Sequence, residues 1–224
     1  MVQPGDRVLD VGCGVGKYGV MFARLGCDVT LTDISGGMLK LAAQNMAEFT
    51  TPWTVYQCDF NTASGEEPEF ANGFDFSIST MSPAIHDVDT VKKLSRMTRR
   101  GCFLTRFRSW NQPDRDALMT ALGVTAKPRM TDMKEDCDNV YNAVLAAGYK
   151  PEVLLVDYNW SDTRTAAEQT DYMRRNYAEA LCGVEDASIL TAAEKLCTAD
   201  GMFTDRVNTK VAWIYWKTGE DNNG

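Results

Sequence analysis

Val8-Leu9-Asp10-Val11-Gly12-Cys13-Gly14-Val15-Gly16-Lys17 is the stretch whose reading decides the fold. Residues 6–11 are a short apolar run that ends in a cluster of glycines, the pattern of a buried strand feeding a tight turn. Beyond the turn, Tyr18, Met21, Phe22 and Leu25 recur at helical spacing, and Gly26 follows as a helix terminator. Glycines between a strand and a helix let the backbone turn sharply and let a ligand approach main-chain amides with no Cβ in the way. The helix N-terminus beyond them adds partial positive charge.

The same alternation continues along the chain. Val29–Thr32 reads as a second strand ending at Asp33. Ser35 caps a helix whose apolar stripe is Met38, Leu41, Ala42, Met46 and Phe49. A third strand spans Thr54–Cys58 with Asp59 at its end, and a polar, acidic loop covers 61–73. Strand four is Phe74–Thr80. Asp87 or Asp89 caps a helix through Met97, and strand five is Cys102–Phe107. Helices follow over about 113–122 and 134–147, the latter stopped by Gly148. Strand six is Val153–Val156 and the last strand is Val211–Trp216, rich in β-branched and aromatic residues. Strands alternating with helices imply an α/β, doubly wound, mainly parallel sheet covered on both faces. Between strands six and seven lies a helical and polar insertion, 159–210, within what reads as one domain over 1–224. The polar tail 219–224 is the only biased segment.

The spacing of the glycines narrows the ligand. Dinucleotide sites use G-x-G-x-x-G, whereas here the pattern is G-x-G-x-G with lysine at position 17. Asp10, two residues before the first glycine, suits a cationic ligand better than a pyrophosphate. VLDVGCGVGK resembles motif I of the class I S-adenosylmethionine-dependent methyltransferases, over residues 6 to about 107 and loosely over 211–216. The resemblance implies a seven-stranded sheet of order 3-2-1-4-5-7-6 with the last strand antiparallel. It implies S-adenosylmethionine as cofactor and S-adenosylhomocysteine as product. Asp10 is then expected near the methionine portion, with Gly12, Cys13, Gly14 and Gly16 shaping the pocket wall. Asp33 is expected on the ribose hydroxyls, Ile34 and Met38 against the adenine, and Asp59 and Phe60 near the adenine amine. Members of the family usually carry helices ahead of strand one, so the resemblance implies a more open site here, or cover from the insertion, from a partner chain in a homo-oligomer, or from residues outside this sequence.

Methyl transfer is an in-line displacement, so the protein's task is to align the reactants and exclude water, with a base only where the nucleophile must lose a proton. The edge after strand four reads Ser79-Thr80-Met81-Ser82-Pro83-Ala84-Ile85-His86-Asp87, which differs from the N/D-P-P-Y signature of amino-group methylases of nucleic-acid bases and glutamine. Met81 and Ser82 are expected at the cofactor's methionine end. His86, the only histidine, is the candidate base, set against a reading as a helix-start residue bonded to backbone. Arg106 and Trp110 close strand five, where an arginine can hold a carboxylate or phosphate or else an acidic partner in the chain. Trp160 and Tyr172, in the insertion, are candidates for the acceptor pocket or for packing the insertion, which is expected to act as a lid.

Composition sets limits on partners. The net charge is −8, unlike the basic footprint expected of a nucleic-acid binder, and the one dense basic run, Arg96–Arg108, reads as a solvated loop and a polar strand face ahead of a phosphate-binding role. No apolar run approaches the ~20 residues that cross a bilayer. Seven cysteines without a CxxC pair, and a single histidine, argue against a metal site and for reduced core thiols in the cytoplasm, and Gln3-Pro4-Gly5-Asp6 after Met1 is unlike a signal peptide. The expected activity is methyl transfer to a small-molecule acceptor. The alternatives are a methyltransferase acting on protein or nucleic acid, and a non-catalytic subunit that binds the cofactor.

Overall fold

In the computed structural model, which describes residues 2–70, 73–125 and 133–219, the opening stretch forms strand β1 (Arg7–Val11), the glycine turn and helix α1 (Lys17–Arg24). Then follow β2 (Asp28–Asp33), α2 (Gly36–Met46), β3 (Trp53–Gln57), β4 (Phe74–Thr80), α3 (Val88–Arg96) and β5 (Thr98–Asn111). The remainder is α4 (Pro113–Ala121), α5 (Met133–Ala146), β6 (Glu152–Thr165), α6 (Ala166–Tyr177), α7 (Asp186–Leu196) and β7 (Met202–Lys217). The expected tail lies outside the described residues from 220 onward, as do positions 71 and 72 of the acidic loop.

The seven strands have the order β3-β2-β1-β4-β5-β7-β6, as expected. β1 pairs in parallel with β2 and β4, β2 with β3, and β4 with β5. β7 runs against β5: the Thr218 N–H donates to the Arg100 carbonyl while Trp213 meets Phe103, so one index rises as the other falls. Alternation along β1 sends Val8 to one face and Leu9 and Val11 to the other. Val8, Val29 and Leu31 pack with Leu39, Ala42 and Met46 of α2. On the other face Leu9, Val11, Leu104 and Trp216 pack with Val91 and Leu94 of α3 and Val140 and Val144 of α5. Trp216 is fully buried, and its indole N–H donates to Ser95 Oγ at 2.9 Å, so the largest core side chain leaves no orphaned donor.

Caps fall where expected. Ser35 Oγ accepts from the Met38 N–H, and Asp87 and Thr90 form a capping box on α3. At Gly26 (φ 83°) and at Gly148 (φ 93°) a pair of backward hydrogen bonds closes the preceding helix in the Schellman pattern. Two helix faces are rotated from expectation. α1 turns Gly19 and Ala23 inward and leaves Met21 and Leu25 exposed, because a Cβ at position 19 would lie only 2.5 Å from Leu31 Cδ2. In α2 the buried stripe is Leu39, Ala42 and Met46, and Met38 and Leu41 face outward.

The chain divides into two units, 1–107 with 134–156 and 211–224, and 108–133 with 157–210. The second has its own core of Leu118, Met119, Met173, Leu181, Ile189 and Phe203. It contains the segment 159–210, which is less helical than expected: β6 continues to Thr165 and β7 begins at Met202. The alternation Phe203, Asp205, Val207, Thr209, Val211 is buried at every second residue, but its inward polar members hide the strand pattern. Of the seven free cysteines, Cys13, Cys27, Cys102 and Cys137 are buried. Among the described residues no helix is long and apolar enough to cross a membrane.

Gly101 tests the β5–β7 seam. A Cβ there would meet the Tyr215 ring at 2.7 Å and the Trp216 carbonyl oxygen at 2.9 Å, and a backbone atom cannot rotate away. Gly101→Ala is expected to lower the unfolding free energy by ~1–3 kcal/mol in a denaturant titration. An unshifted midpoint would show that the seam is loosely packed.

Candidate active site

Strands β1 to β4 all point their carboxyl ends at one sheet edge, the edge where ligands bind in open parallel sheets. A cavity of about 250 Å³ opens there, lined by Val11, Gly12, Thr32, Asp33, Ile34, Cys58, Asp59, Phe60, Asn61, Ser82, Pro83 and Ala84. Gly12, Asp33, Ile34, Asp59, Phe60 and Ser82 thus line one cavity.

The turn itself is backbone geometry. Gly12, Gly14 and Gly16 have φ of 71°, 54° and 77°, a region that L side chains rarely occupy. The Gly12 and Cys13 N–H groups both donate to the Thr32 carbonyl, at 2.8 and 2.9 Å, which ties the turn to β2. A Cβ at Gly12 would fall 2.6 Å from Ser82 Cβ, and one at Gly16 would press on Ala42 and Leu31. At Gly14 nothing lies within 4 Å, so that face of the turn is open space.

Asp33 joins the turn to β2. Its Oδ2 accepts from the Gly14 N–H at 2.9 Å and its Oδ1 from the Ser35 N–H at 2.8 Å. A carboxylate accepts about four hydrogen bonds, so both oxygens keep capacity, the arrangement that two neighbouring hydroxyls require. Asp59 Oδ1 accepts from the backbone N–H and the side-chain amide of Asn61. Phe60 is buried in the core as well as forming part of the cavity wall.

Asp10 is fully buried, and neither of its oxygens has a hydrogen-bond partner among the described residues. Burial first, and then the Asp33 carboxylate, raises the Asp10 carboxyl from 3.8 to about 7. The same causes, burial and the charges of Asp10 and Asp33, push the Cys13 thiol up to about 12, which removes it as a nucleophile. A buried carboxyl left without partners costs stability unless a cation or donor reaches it.

Asp10, Cys13, Gly14, Gly16, Met38 and Met81 stand outside the lining, although Asp10 feels the Asp33 charge and Gly14 is bonded to Asp33. Met81 has φ 50°, the one positive value at a non-glycine among the described residues. Its N–H donates to the Thr105 carbonyl and hydroxyl, at 3.2 and 3.1 Å. His86 also lies outside the lining. Its side chain is exposed with Nε2 3.6 Å from Asp87 Oδ2, and its backbone N–H donates to Thr90 Oγ1. Arg106 is buried and engaged within the chain, donating to the carbonyls of Ile85 (2.5 Å) and Thr105 (2.9 Å) and pairing with Asp136 at 3.3 Å.

In the second unit, Trp110 and Trp160 meet edge-to-face at 5.1 Å between ring centroids. Tyr172 lies under the Arg164 guanidinium, which also reaches Gln169 and the buried Asp205. Thr32, Cys58, Asn61 and Ala84 line the cavity without having been singled out. Only Asn61 carried a signal, as an amide two residues past a strand-end Asp.

A carboxyl whose folded pKa is raised stabilises least at high pH: the unfolded state ionises near 4, the folded state near 7, and stability drains between the two. Asp10→Asn abolishes that loss. In the ligand-free protein the stability of the variant relative to wild type is expected to rise by a few kcal/mol from about pH 4.5 to about pH 7.5, at ~1.4 kcal/mol per pK unit. A difference that does not change with pH in thermal melts would contradict the burial and isolation of this group.

A methyltransferase-domain family model matches residues 8–101. The chain is 29% identical over 118 residues to sterol methyltransferase-like 3 of Botryococcus braunii, 51% of this chain and 30% of that protein. The matched stretches cover between 18% and 38% of the length of the curated relatives. Among solved structures, the precorrin-6y C5,15-methyltransferase of Geobacter metallireducens GS-15 superposes with a TM-score of 0.54 at 11% identity, over 96% of this chain and 81% of that one. Phosphoethanolamine N-methyltransferase 2 of Haemonchus contortus, solved with S-adenosyl-L-methionine, gives 0.53 at 15% identity, over 98% and 50%. The family match falls on the strands and turn that build the cavity, so over residues 8–101 the chain is similar to methyltransferase domains, and these solved structures share its fold.

Proposed function

We propose that this chain binds S-adenosylmethionine at the β1–β4 edge and transfers its methyl group to a small-molecule acceptor. The observation that carries the reading is the Asp33 carboxylate. It is held by the Gly14 and Ser35 amides at the mouth of a cavity of about 250 Å³, beside the buried, unpartnered Asp10. The residues present fit the cofactor. Asp33 offers two adjacent acceptors for a ribose diol, Ile34 and the Phe60 wall offer apolar surface for an adenine, and Asp10 lacks the cation or donor that would satisfy it. The cavity volume lies just below the ~300–1,000 Å³ of drug-sized sites, which suits one nucleoside better than two.

When bound, S-adenosylmethionine supplies a methyl group on a positively charged sulfur. The chain's own residues orient and shield. Gly12 and Ser82 close the wall through direct packing, and Asp10 and Asp33 make this end of the sheet negative, favourable to a cationic ligand. His86, exposed and within 3.6 Å of Asp87, is the group that takes a proton from the acceptor where one must be lost. Arg106, buried and bonded to the Ile85 and Thr105 carbonyls and paired with Asp136, acts on the loop after β4 through Ile85. The net charge of −8 supports a small acceptor over a nucleic acid.

Calorimetric titration with S-adenosylhomocysteine and with NAD separates the cofactor classes. Saturable binding of the first alone is expected, and Asp33→Ala is expected to weaken it by at least about tenfold, one lost pair of charge-assisted hydrogen bonds being worth ~1.5–3 kcal/mol. Radiolabelled methyl transfer to a metabolite panel then tests the acceptor. Label found only in protein or RNA would overturn the small-molecule assignment.

A further inference from the structure

Lys93, in α3, has no place in the chemistry, yet its ammonium is fully used. It donates to the carbonyls of Phe60 at 2.7 Å, Asn61 at 3.2 Å and Ala63 at 2.5 Å, and stands 5.1 Å from the Phe60 ring centroid. An ammonium has three protons to give, and all three go to a single loop. The opposite sides of those peptide planes are also accounted for. The Asn61 N–H donates to Asp59 Oδ1, the Thr62 N–H to the Asp59 carbonyl, and the Ser64 N–H to Glu67 Oε1. The loop also rests on the lysine stem, since a Cβ at Gly65 would lie 3.3 Å from Lys93 Cγ.

The segment so held is the one that carries Asp59, Phe60 and Asn61 to the cavity wall. An acidic, polar loop would ordinarily turn its carbonyls to water and sample many shapes. Here a cation collects three of them from one side, and the wall-forming residues are left in a single arrangement.

We propose that Lys93 is a positioning residue for the nucleoside site: it fixes residues 59–61 and thereby sets cofactor affinity without touching the cofactor. The proposal rests on the methyltransferase reading above. Lys93→Met keeps the bulk of the stem and removes the cation, whereas Lys93→Arg keeps the cation.

The test compares wild type and both variants in two measurements: amide hydrogen exchange in the ligand-free protein, and calorimetric titration with S-adenosylhomocysteine. In Lys93→Met, exchange at residues 61–64 is expected to rise at least about tenfold with β1 and β2 unchanged. Affinity is expected to fall about tenfold or more, and Lys93→Arg to restore most of both. Affinity within about twofold of wild type in Lys93→Met, or protection lost equally across the whole sheet, would overturn the proposal. If Lys93→Met does not fold, Lys93→Gln carries the same expectations with a smaller loss. Wild type that fails to bind S-adenosylhomocysteine overturns the methyltransferase reading and this proposal together. Wild type that binds while Lys93→Met binds equally well overturns this proposal alone.

Discussion

The backbone of residues 12–16 can fold at the end of β1 only because no side chain stands at Gly12 or Gly16. One Cβ would overlap Ser82 and the other would press on Ala42 and Leu31, in a φ region that side chains already disfavour. That absence lets the turn bond to the Thr32 carbonyl, lets α1 lie close on Leu31 through Gly19, and brings the Gly14 amide to Asp33. The loop after β4 then closes against the same turn through Ser82. The cavity is the space those close approaches leave.

Charge organises the rest of this edge. Two carboxyls stand close together near the ends of β1 and β2, Asp33 held by two amides and Asp10 buried without a hydrogen-bond partner among the described residues, and two cations hold the neighbouring loops. Lys93 gathers the carbonyls of Phe60, Asn61 and Ala63, and Arg106 holds Ile85. The separation has a physical logic. A cation placed among Asp10 and Asp33 would satisfy them permanently and compete with a cationic ligand, whereas a cation behind the loops orders the wall and leaves the acids open.

Legibility in the sequence followed the strength of local signals. The strand–turn–helix of the opening, the caps at Ser35 and Asp87 and the stops at Gly26 and Gly148 rest on short-range backbone chemistry, and the structure has them. The sheet order came with the family resemblance carried by VLDVGCGVGK. What was not legible depended on distant contacts. α1 buries its smallest residues because Leu31 leaves no room for more, a fact held 12 residues further along the chain. The strands beyond 156 and before 211 were hidden because Asp205 and Thr209 sit on the buried face, where a period-two reading expects apolar residues. Lys93 was one lysine of a helix until the loop it holds was seen. Arg106 read as a substrate clamp or, more readily, as an ion-pair partner within the chain, and its guanidinium lies against Asp136 and the Ile85 carbonyl.

Asp10, buried and without a hydrogen-bond partner among the described residues, is the group on which the proposed binding of a cationic ligand turns. Proton linkage measures this most directly. Calorimetry of S-adenosylmethionine binding near pH 7, repeated in buffers of different ionisation enthalpy, counts protons exchanged on binding. A cation brought to Asp10 lowers its pKa from about 7, so binding should release a fraction of a proton from the wild type and none from Asp10→Asn. Binding with no linked proton, or with the same release in both proteins, would contradict the account.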